Sequence, residues 1–295
     1  MKKVVLSIAG SDPSGGAGIQ ADIKVAMMLG VYPCSVITAV TAQNTSRVSG
    51  VWEVSEKQLQ LQMDSVLSDI IPDAVKIGLL PSADSVKLIA DIIRAYNLKN
   101  IIVDPILSLT QSKFAPSRSL IKAYCKHLFP LATLVTPNLP EQKCFEQETE
   151  LPFEALCDAF LQKGGHSEEN ECCDKLFVHS PSLDNSVMRD VVSTSFIVTS
   201  SPFPTMDPHP YASLSDEESS VGFGNTIVKE FYHKRITTKN THGTGCILST
   251  AIACYLALAN NLEGAVAKAI DFTDDALLKS ASEKIGNGDY GPALI

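Results

Sequence analysis

Positive charge is scarce in this chain. Its 24 Lys and Arg are outnumbered by 33 Asp and Glu, for a formal net charge of −9 over 295 residues. A nucleic-acid backbone is gripped by a basic patch, and the sequence offers none, so nucleic acid is not expected as a partner. A small anion stays open, because backbone N–H groups or a metal can hold one. Long apolar runs are missing too. The longest, Ile247 to Ala259, is interrupted by Ser249 and Thr250, and a bilayer span needs about 20 predominantly apolar residues. No membrane span is expected. The N-terminal MKKVVLSIAGSD has a basic start, but its apolar run breaks at Gly10-Ser11-Asp12, which reads as a first strand rather than a signal peptide. The eight cysteines contain no CxxC pair and the six histidines no metal-ligand spacing. Reduced thiols in the cytoplasm are expected, and no zinc site.

With 45% hydrophobic residues the chain can bury a sizeable core. Strand and helix patterns alternate. VVLSIAG (4–10) is a continuous apolar run, as in a buried parallel strand. Residues 16–29 read as a helix with Ile19, Ile23 and Met27 on one stripe and Gly30 at its stop. A strand follows at 34–44. A helix then begins at Ser55, with Gln58 completing a capping box and Leu59, Met63, Val66 and Ile70 facing inward. Further strands are expected at 74–80, 101–105 and 131–138, with helices near 82–96 and 117–127. Two long helices close the chain, at about 244–259 and 262–283. This alternation implies an α/β fold, a mostly parallel sheet covered on both faces. From about residue 166 to 230 the periodicity lapses into Ser, Pro, Asn and acids, which reads as an acidic surface insertion, a lid or a partner-binding element.

In such sheets ligands bind beyond the carboxyl ends of the strands, so the polar residues there are the candidates. GSDPSGGAG (10–18) can bring backbone N–H groups close to a ligand, yet it is neither a P-loop nor a GxGxxG fingerprint, and a tight turn explains it equally. In NLPE (138–141), Asn138 and Glu141 form a capping box, which suffices structurally. Both side chains could also serve phosphate-bound Mg²⁺, with Asp104 of IIVDP as a second carboxylate. NTHGTGC (240–246) precedes a helix. Gly243, Thr244 and Gly245 would leave its unpaired N–H groups open to an oxyanion, and the dipole there is expected to lower the Cys246 pKa toward thiolate, making it a candidate base. A buried structural cysteine is the plain alternative. An anion hole, two acids and a base together point to phosphoryl transfer, with the acceptor open.

Read in order, AGSDPSGGAGIQADIK, TAVTAQNT, DAVKIGLL, VDPI, TPNLPE, KGGH and NTHGTGCILSTAIA resemble the hydroxymethylpyrimidine/phosphomethylpyrimidine kinases of thiamine biosynthesis. The resemblance covers about residues 4–165 and 231–291. It implies a ribokinase-like three-layer α/β/α fold spanning 1–295 as one kinase domain, commonly a homodimer. It further implies ATP and Mg²⁺ as cofactors and two successive phosphorylations, of the alcohol and then of its monophosphate. By the same resemblance Gln43 meets the pyrimidine edge, with Gly10, Asp12, Ala17 and Leu79 lining that pocket. Asp104 and Glu141 serve the metal and phosphates beside Asn138. Lys163 and Thr244 lie near the nucleotide, and Gly243, Thr244, Gly245 and Cys246 form the anion hole and base.

The chain departs from the family in places. Leu79 stands where Met is usual, ILSLTQS replaces the usual VMVAKSG so that Lys113 falls later, and the stretch between NLPE and KGGH is shorter. The 166–230 segment is longer, and GNGDYGP replaces GxGHGP. A pyridoxal or pyridoxine kinase of the same superfamily is the near alternative, which Gln43 disfavours because a carboxamide can donate to and accept from an aminopyrimidine edge. A non-catalytic pyrimidine sensor is the alternative of another class.

Overall fold

Val4–Ser11 (β1) is buried along nearly its whole length and forms the spine of the sheet. The computed structural model describes residues 1–107, 116–164, 171–179, 226–288 and 291–295. Beside β1 lie Tyr32–Gln43 (β2) and Val48–Glu53 (β3) on one flank. Ala74–Ile77 (β4), Ile101–Val103 (β5), Leu134–Val135 (β6), Ala159–Gln162 (β7), Glu171–His179 (β8) and Thr226–Lys234 (β9) follow on the other. Among the described residues the sheet has nine strands, in the order β3-β2-β1-β4-β5-β6-β7-β8-β9. Strands β2, β1, β4, β5, β6 and β7 run parallel, and β3, β8 and their neighbours pair antiparallel at the two edges.

Helices Gly18–Met28 (α1), Thr244–Ala257 (α6) and Leu262–Ser280 (α7) cover one face. Helices Glu56–Leu67 (α2), Ala83–Ala95 (α3), Arg118–Ala123 (α4) and Leu139–Thr149 (α5) cover the other. This is the expected three-layer α/β/α arrangement. The second face is filled by a chain of aromatic rings, Tyr124, Phe129, Phe145, Phe153, Phe160 and Phe177, ending in a stacked pair with centroids 4.4 Å apart. The capping boxes read at Ser55–Gln58 and Asn138–Glu141 are both formed. All eight cysteines are free thiols. Among the described residues no helix is long and apolar enough to cross a membrane.

Three readings change. The buried side of α1 is Ile19, Ala21, Asp22, Val25 and Ala26, whereas Ile23 and Met27 are 36% and 58% exposed. The stripe was displaced because a charged residue, Asp22, belongs to the core. Strands β3 and β7 were not anticipated; β3 is a short edge strand with no buried position, and β7 is only four residues long. The aperiodic segment is narrower than expected, since β8 and β9 are sheet strands. Along β8 the buried residues alternate as Cys172, Asp174 and Leu176, and the acid in that row hides the period-two signal. Residues 180–225, Lys113 and the Asp289-Tyr290 pair lie outside the described residues.

Asp22 is tolerated because it is fully paired. Lys76 of β4 donates to both its carboxylate oxygens at 2.9 Å, with both side chains 0% exposed. Thr250 of α6 donates to it at 2.7 Å, and Ser7 of β1 donates as well. Burial pulls the Lys76 pKa down, but the negative groups around it, Asp22 first, hold it above the ordinary lysine value. Breaking a buried pair leaves an uncompensated charge. Lys76→Met is therefore expected to destabilise the fold by about 3–5 kcal/mol, read as a lower denaturation midpoint; a midpoint equal to wild type would contradict this account.

Candidate active site

The strand order turns at β1, whose two neighbours β2 and β4 are reached by connections leading in opposite directions. Such a switch opens a crevice at the carboxyl ends of the strands. A cavity of about 690 Å³ lies there. Each candidate residue from the sequence lines it. Gly10, Asp12 and Ala17 come from the β1–α1 turn, Gln43 from β2, and Leu79 from beyond β4. Asp104 follows β5, Asn138 and Glu141 follow β6, and Lys163 follows β7. Gly243, Thr244, Gly245 and Cys246 open α6.

The β1–α1 turn is organised by Asp12. Its carboxylate accepts from Ser14 N, Ser14 Oγ, Ala17 N and His242 Nε2 at 2.7–2.9 Å. Burial pushes the Asp12 pKa up, but these donors outweigh it and hold the group below the usual carboxylate range. Gln20 closes the turn from the other side, accepting from Asp12 N and donating to Ser11 Oγ. Leu79 packs against Gly10, where an added Cβ would sit 3.0 Å from its Cδ2.

At the opposite end Asp104 is 2% exposed and accepts from Lys163 Nζ at 3.1 Å and Thr136 Oγ1 at 3.3 Å. Ser249 Oγ of α6 reaches its other oxygen at 3.4 Å. Glu141 is 8% exposed. Burial, and next to it the Asp104 charge, push its pKa up to about 7 against the pull of Lys163. Two carboxylates out of water, with Lys163 paired to Asp104, form a site short of positive charge. Among the described residues no set of three carboxylate, imidazole or thiol groups gathers as a metal cluster. Asp104 and Glu141 nevertheless suit Mg²⁺, which is bound through one or two carboxylates while water and substrate phosphates complete its shell.

Helix α6 begins with Gly243 in the left-handed region, φ 86°. A Cβ there would fall 1.8 Å from the Gly16 carbonyl oxygen, so the two motifs touch through bare backbone. The first intrahelical bond is Ile247 N to Gly243 O at 2.9 Å, and the N–H groups of Gly245 and Cys246 precede it. A Cβ on Gly245 would meet Asp104 Oδ2 and Lys163 Nζ at 3.5 and 3.6 Å, ordinary contact distances. The glycine at 243 is a packing requirement, and the one at 245 leaves room in the cavity.

Cys246 corrects an expectation. Its side chain lies under the helix start, 5% exposed. Burial pushes the thiol up to about 11, Lys76 opposes this, and Asp22 and Asp104 add to it. Desolvation outweighs the helix dipole, so Cys246 rests as a thiol at neutral pH.

Several cavity residues were not singled out from the sequence. His242 joins Asp12 to Gln43, with its Nε2 2.8 Å from Asp12 Oδ2 and 3.1 Å from Gln43 Nε2. It lies inside the motif NTHGTGC, and its place beside the glycines was the available signal. Thr41 of β2 faces the cavity and donates to Ser11 O. His233 of β9 is 3.0 Å from Asp274 of α7 and 3.8 Å from Asp174 of β8. Burial lowers its pKa, but the two acids push it up to about 10, so it is a cation that ties the β9 wall to α7. Nothing in the local sequence pairs residues so far apart along the chain.

This architecture and cavity are those of the ribokinase-like small-molecule kinases. The phosphomethylpyrimidine kinase family model matches residues 12–190 and 213–293. The hydroxymethylpyrimidine/phosphomethylpyrimidine kinase of Escherichia coli strain K12 is 33% identical over 306 residues, covering 99% of this chain and 97% of its own. A phosphomethylpyrimidine kinase crystal structure from Clostridium difficile 630 superposes with a TM-score of 0.66 at 29% identity, covering 94% of this chain and all of that one. The pyridoxal kinase of Staphylococcus aureus in complex with ADP shares the fold, with a TM-score of 0.74 at 23% identity over 99% of this chain and 93% of its own. The chain belongs to the phosphomethylpyrimidine kinase family.

The two glycines of α6 should separate on substitution. Gly243→Ala is expected to lose at least about 1–2 kcal/mol of stability from the left-handed backbone alone, and more from its clash with Gly16. Gly245→Ala is expected to fold normally and lose turnover. Thermal melts beside steady-state rates check this; equal melting temperatures for the two variants would contradict it.

Proposed function

We propose that this protein phosphorylates 4-amino-5-hydroxymethyl-2-methylpyrimidine with ATP and then phosphorylates the resulting monophosphate. The observation that carries the proposal is the cavity itself. A pocket for a small ring, walled by Gly10, Ala17, Gln43 and Leu79, adjoins the open α6 N-terminus and the Asp104–Lys163–Glu141 cluster. The relatives' printed activities support the same reading.

In this reading the ring lies between the β1–α1 turn and β2, with its hydroxymethyl group toward Cys246. The N–H groups of Gly245 and Cys246 receive the phosphoryl oxygens, and the positive end of α6 offsets the charge spread over them in transfer. Lys163 neutralises a phosphate of the nucleotide, with Asn138 and Thr244 alongside. Asp104 and Glu141 would hold Mg²⁺, which supplies charge neutralisation between the phosphates. The wall of β9 and α7, clamped by His233, bounds the nucleotide side. Homodimer formation belongs to the same reading.

Cys246 has different work in the two reactions. The alcohol must lose a proton, so a base helps. The monophosphate is already an anion and needs none. Cys246→Ala is thus expected to slow the first phosphorylation more than the second. The sign of the pH dependence follows from the raised thiol: below about 11 its thiolate fraction grows about tenfold per pH unit. The first step should climb from about pH 8 to 10 in wild type and lose that slope in Cys246→Ala, and the second should stay flat in both. Equal losses in both steps would remove the base role.

Mass spectrometry of products from ATP, Mg²⁺ and either the pyrimidine or pyridoxal tests the assignment. Pyrimidine mono- and diphosphate are expected, with little pyridoxal phosphate. Mainly pyridoxal phosphate would replace the proposal by the pyridoxal kinase alternative, and binding without turnover would replace it by the sensor.

A further inference from the structure

The contact between Asp12, His242 and Gln43 contains a hydrogen-bonding conflict, and resolving it determines the polarity of the ring pocket. Asp12 accepts four hydrogen bonds and its pKa is held low, so it is a carboxylate and can only accept. The 2.8 Å contact with His242 Nε2 therefore requires a proton on Nε2. A protonated Nε2 has no lone pair left for Gln43, whose amide end stands 3.1 Å from it. The two ends of a carboxamide have the same shape, and the hydrogen-bond network decides between them. The carbonyl oxygen is the end of Gln43 that can face Nε2–H, sharing its single proton with Asp12 as the longer arm of a three-centre hydrogen bond.

We propose that His242, with its Nε2–H directed by Asp12, is a positioning residue that locks the Gln43 carboxamide with Oε1 toward His242, so that the pocket selects a ring edge carrying a donor beside an acceptor, in one direction. The inference rests on the kinase reading above and names what that site discriminates. The imidazole has no freedom to relax the lock. His242 N donates to Gly291 O and Ala293 N donates to His242 O, at 3.1 Å each. The ring packs where a Cβ on Gly16 would fall 2.6 Å from its Cδ2, and the side chain is 10% exposed. Oε1 keeps a second lone pair for an exocyclic amino group, and the amide N–H₂ is left to meet the adjacent ring nitrogen. A 4-oxo ring presents the reverse order, acceptor then N–H, which an unrestrained glutamine would satisfy by turning over.

The test compares 4-amino-5-hydroxymethyl-2-methylpyrimidine with its 4-oxo analogue in wild type, His242→Phe and His242→Gln. Wild type should show a KM about 10- to 100-fold higher for the oxo compound, because both ends of the carboxamide then face like groups, with kcat little changed. His242→Phe should bring the two KM values to within about threefold. His242→Gln, whose amide nitrogen can stand where Nε2 stood, should restore most of the preference. A purely structural role would lower both substrates together and leave the ratio alone. Equal KM values in wild type overturn the inference without any variant, which covers the case that His242→Phe does not fold. So does an unchanged ratio in a folded His242→Phe. Turnover of pyridoxal and of neither pyrimidine is a different failure, that of the kinase assignment itself.

Discussion

The ion pair between Lys76 and Asp22 is the constraint on which the site is built. It joins β4 to α1, and through Ser7 and Thr250 it joins β1 and α6 to the same point. Those elements deliver the β1–α1 turn, Leu79 and the α6 N-terminus to the cavity. A hydrophobic cluster could hold them together, but not at fixed angles. Hydrogen bonds to a carboxylate have direction and number, and this one is satisfied by three side chains from three other elements. The cost of removing the charges from water is offset only in that arrangement. The pair also acts upward, since Lys76 is the positive group that opposes the rise in the Cys246 pKa.

Above this base the cavity is polarised. At one end Asp12 gathers four donors and is kept ionised. At the other, Asp104 and Glu141 share Lys163 and remain short of positive charge. Between them α6 presents bare N–H groups, its first turn held by the contact of Gly243 with Gly16. The sequence is acidic overall, and in the proposed function the phosphates are held by backbone dipoles and one buried lysine rather than by surface charge. The correction at Cys246 belongs to the same picture. A helix dipole lowers a thiol pKa where water still reaches the sulfur, and here burial outweighs it.

Much of this was legible along the chain. The apolar run of β1, the capping boxes at Ser55 and Asn138, and the glycines before α6 each state their structure locally, because a cap or a tight turn is decided by neighbours within a few residues. Position at the ends of successive parallel strands was enough to nominate Asp104 and Asn138, whereas Lys163 came only from the family resemblance, since the strand before it is four residues long and was not read from the sequence. The inward side of α1 was misread, because Asp22 resembles a surface residue until its partners 54 and 228 positions away are known. Strand β8 was hidden for the same reason, by the buried Asp174.

The sequence by itself determined the alternation of strands and helices, the parallel sheet covered on both faces and the residues that a strand-end rule places at the crevice, since these follow from periodicity, capping and backbone sterics. Only the tertiary structure decided which polar groups are paired, and with that their charge and orientation. The contact of His242 with Asp12, the resting thiol of Cys246 and the buried Lys76 cation each depend on burial and on partners far off in the chain, and electrostatic free energy is set by those distances in space rather than by spacing along the sequence.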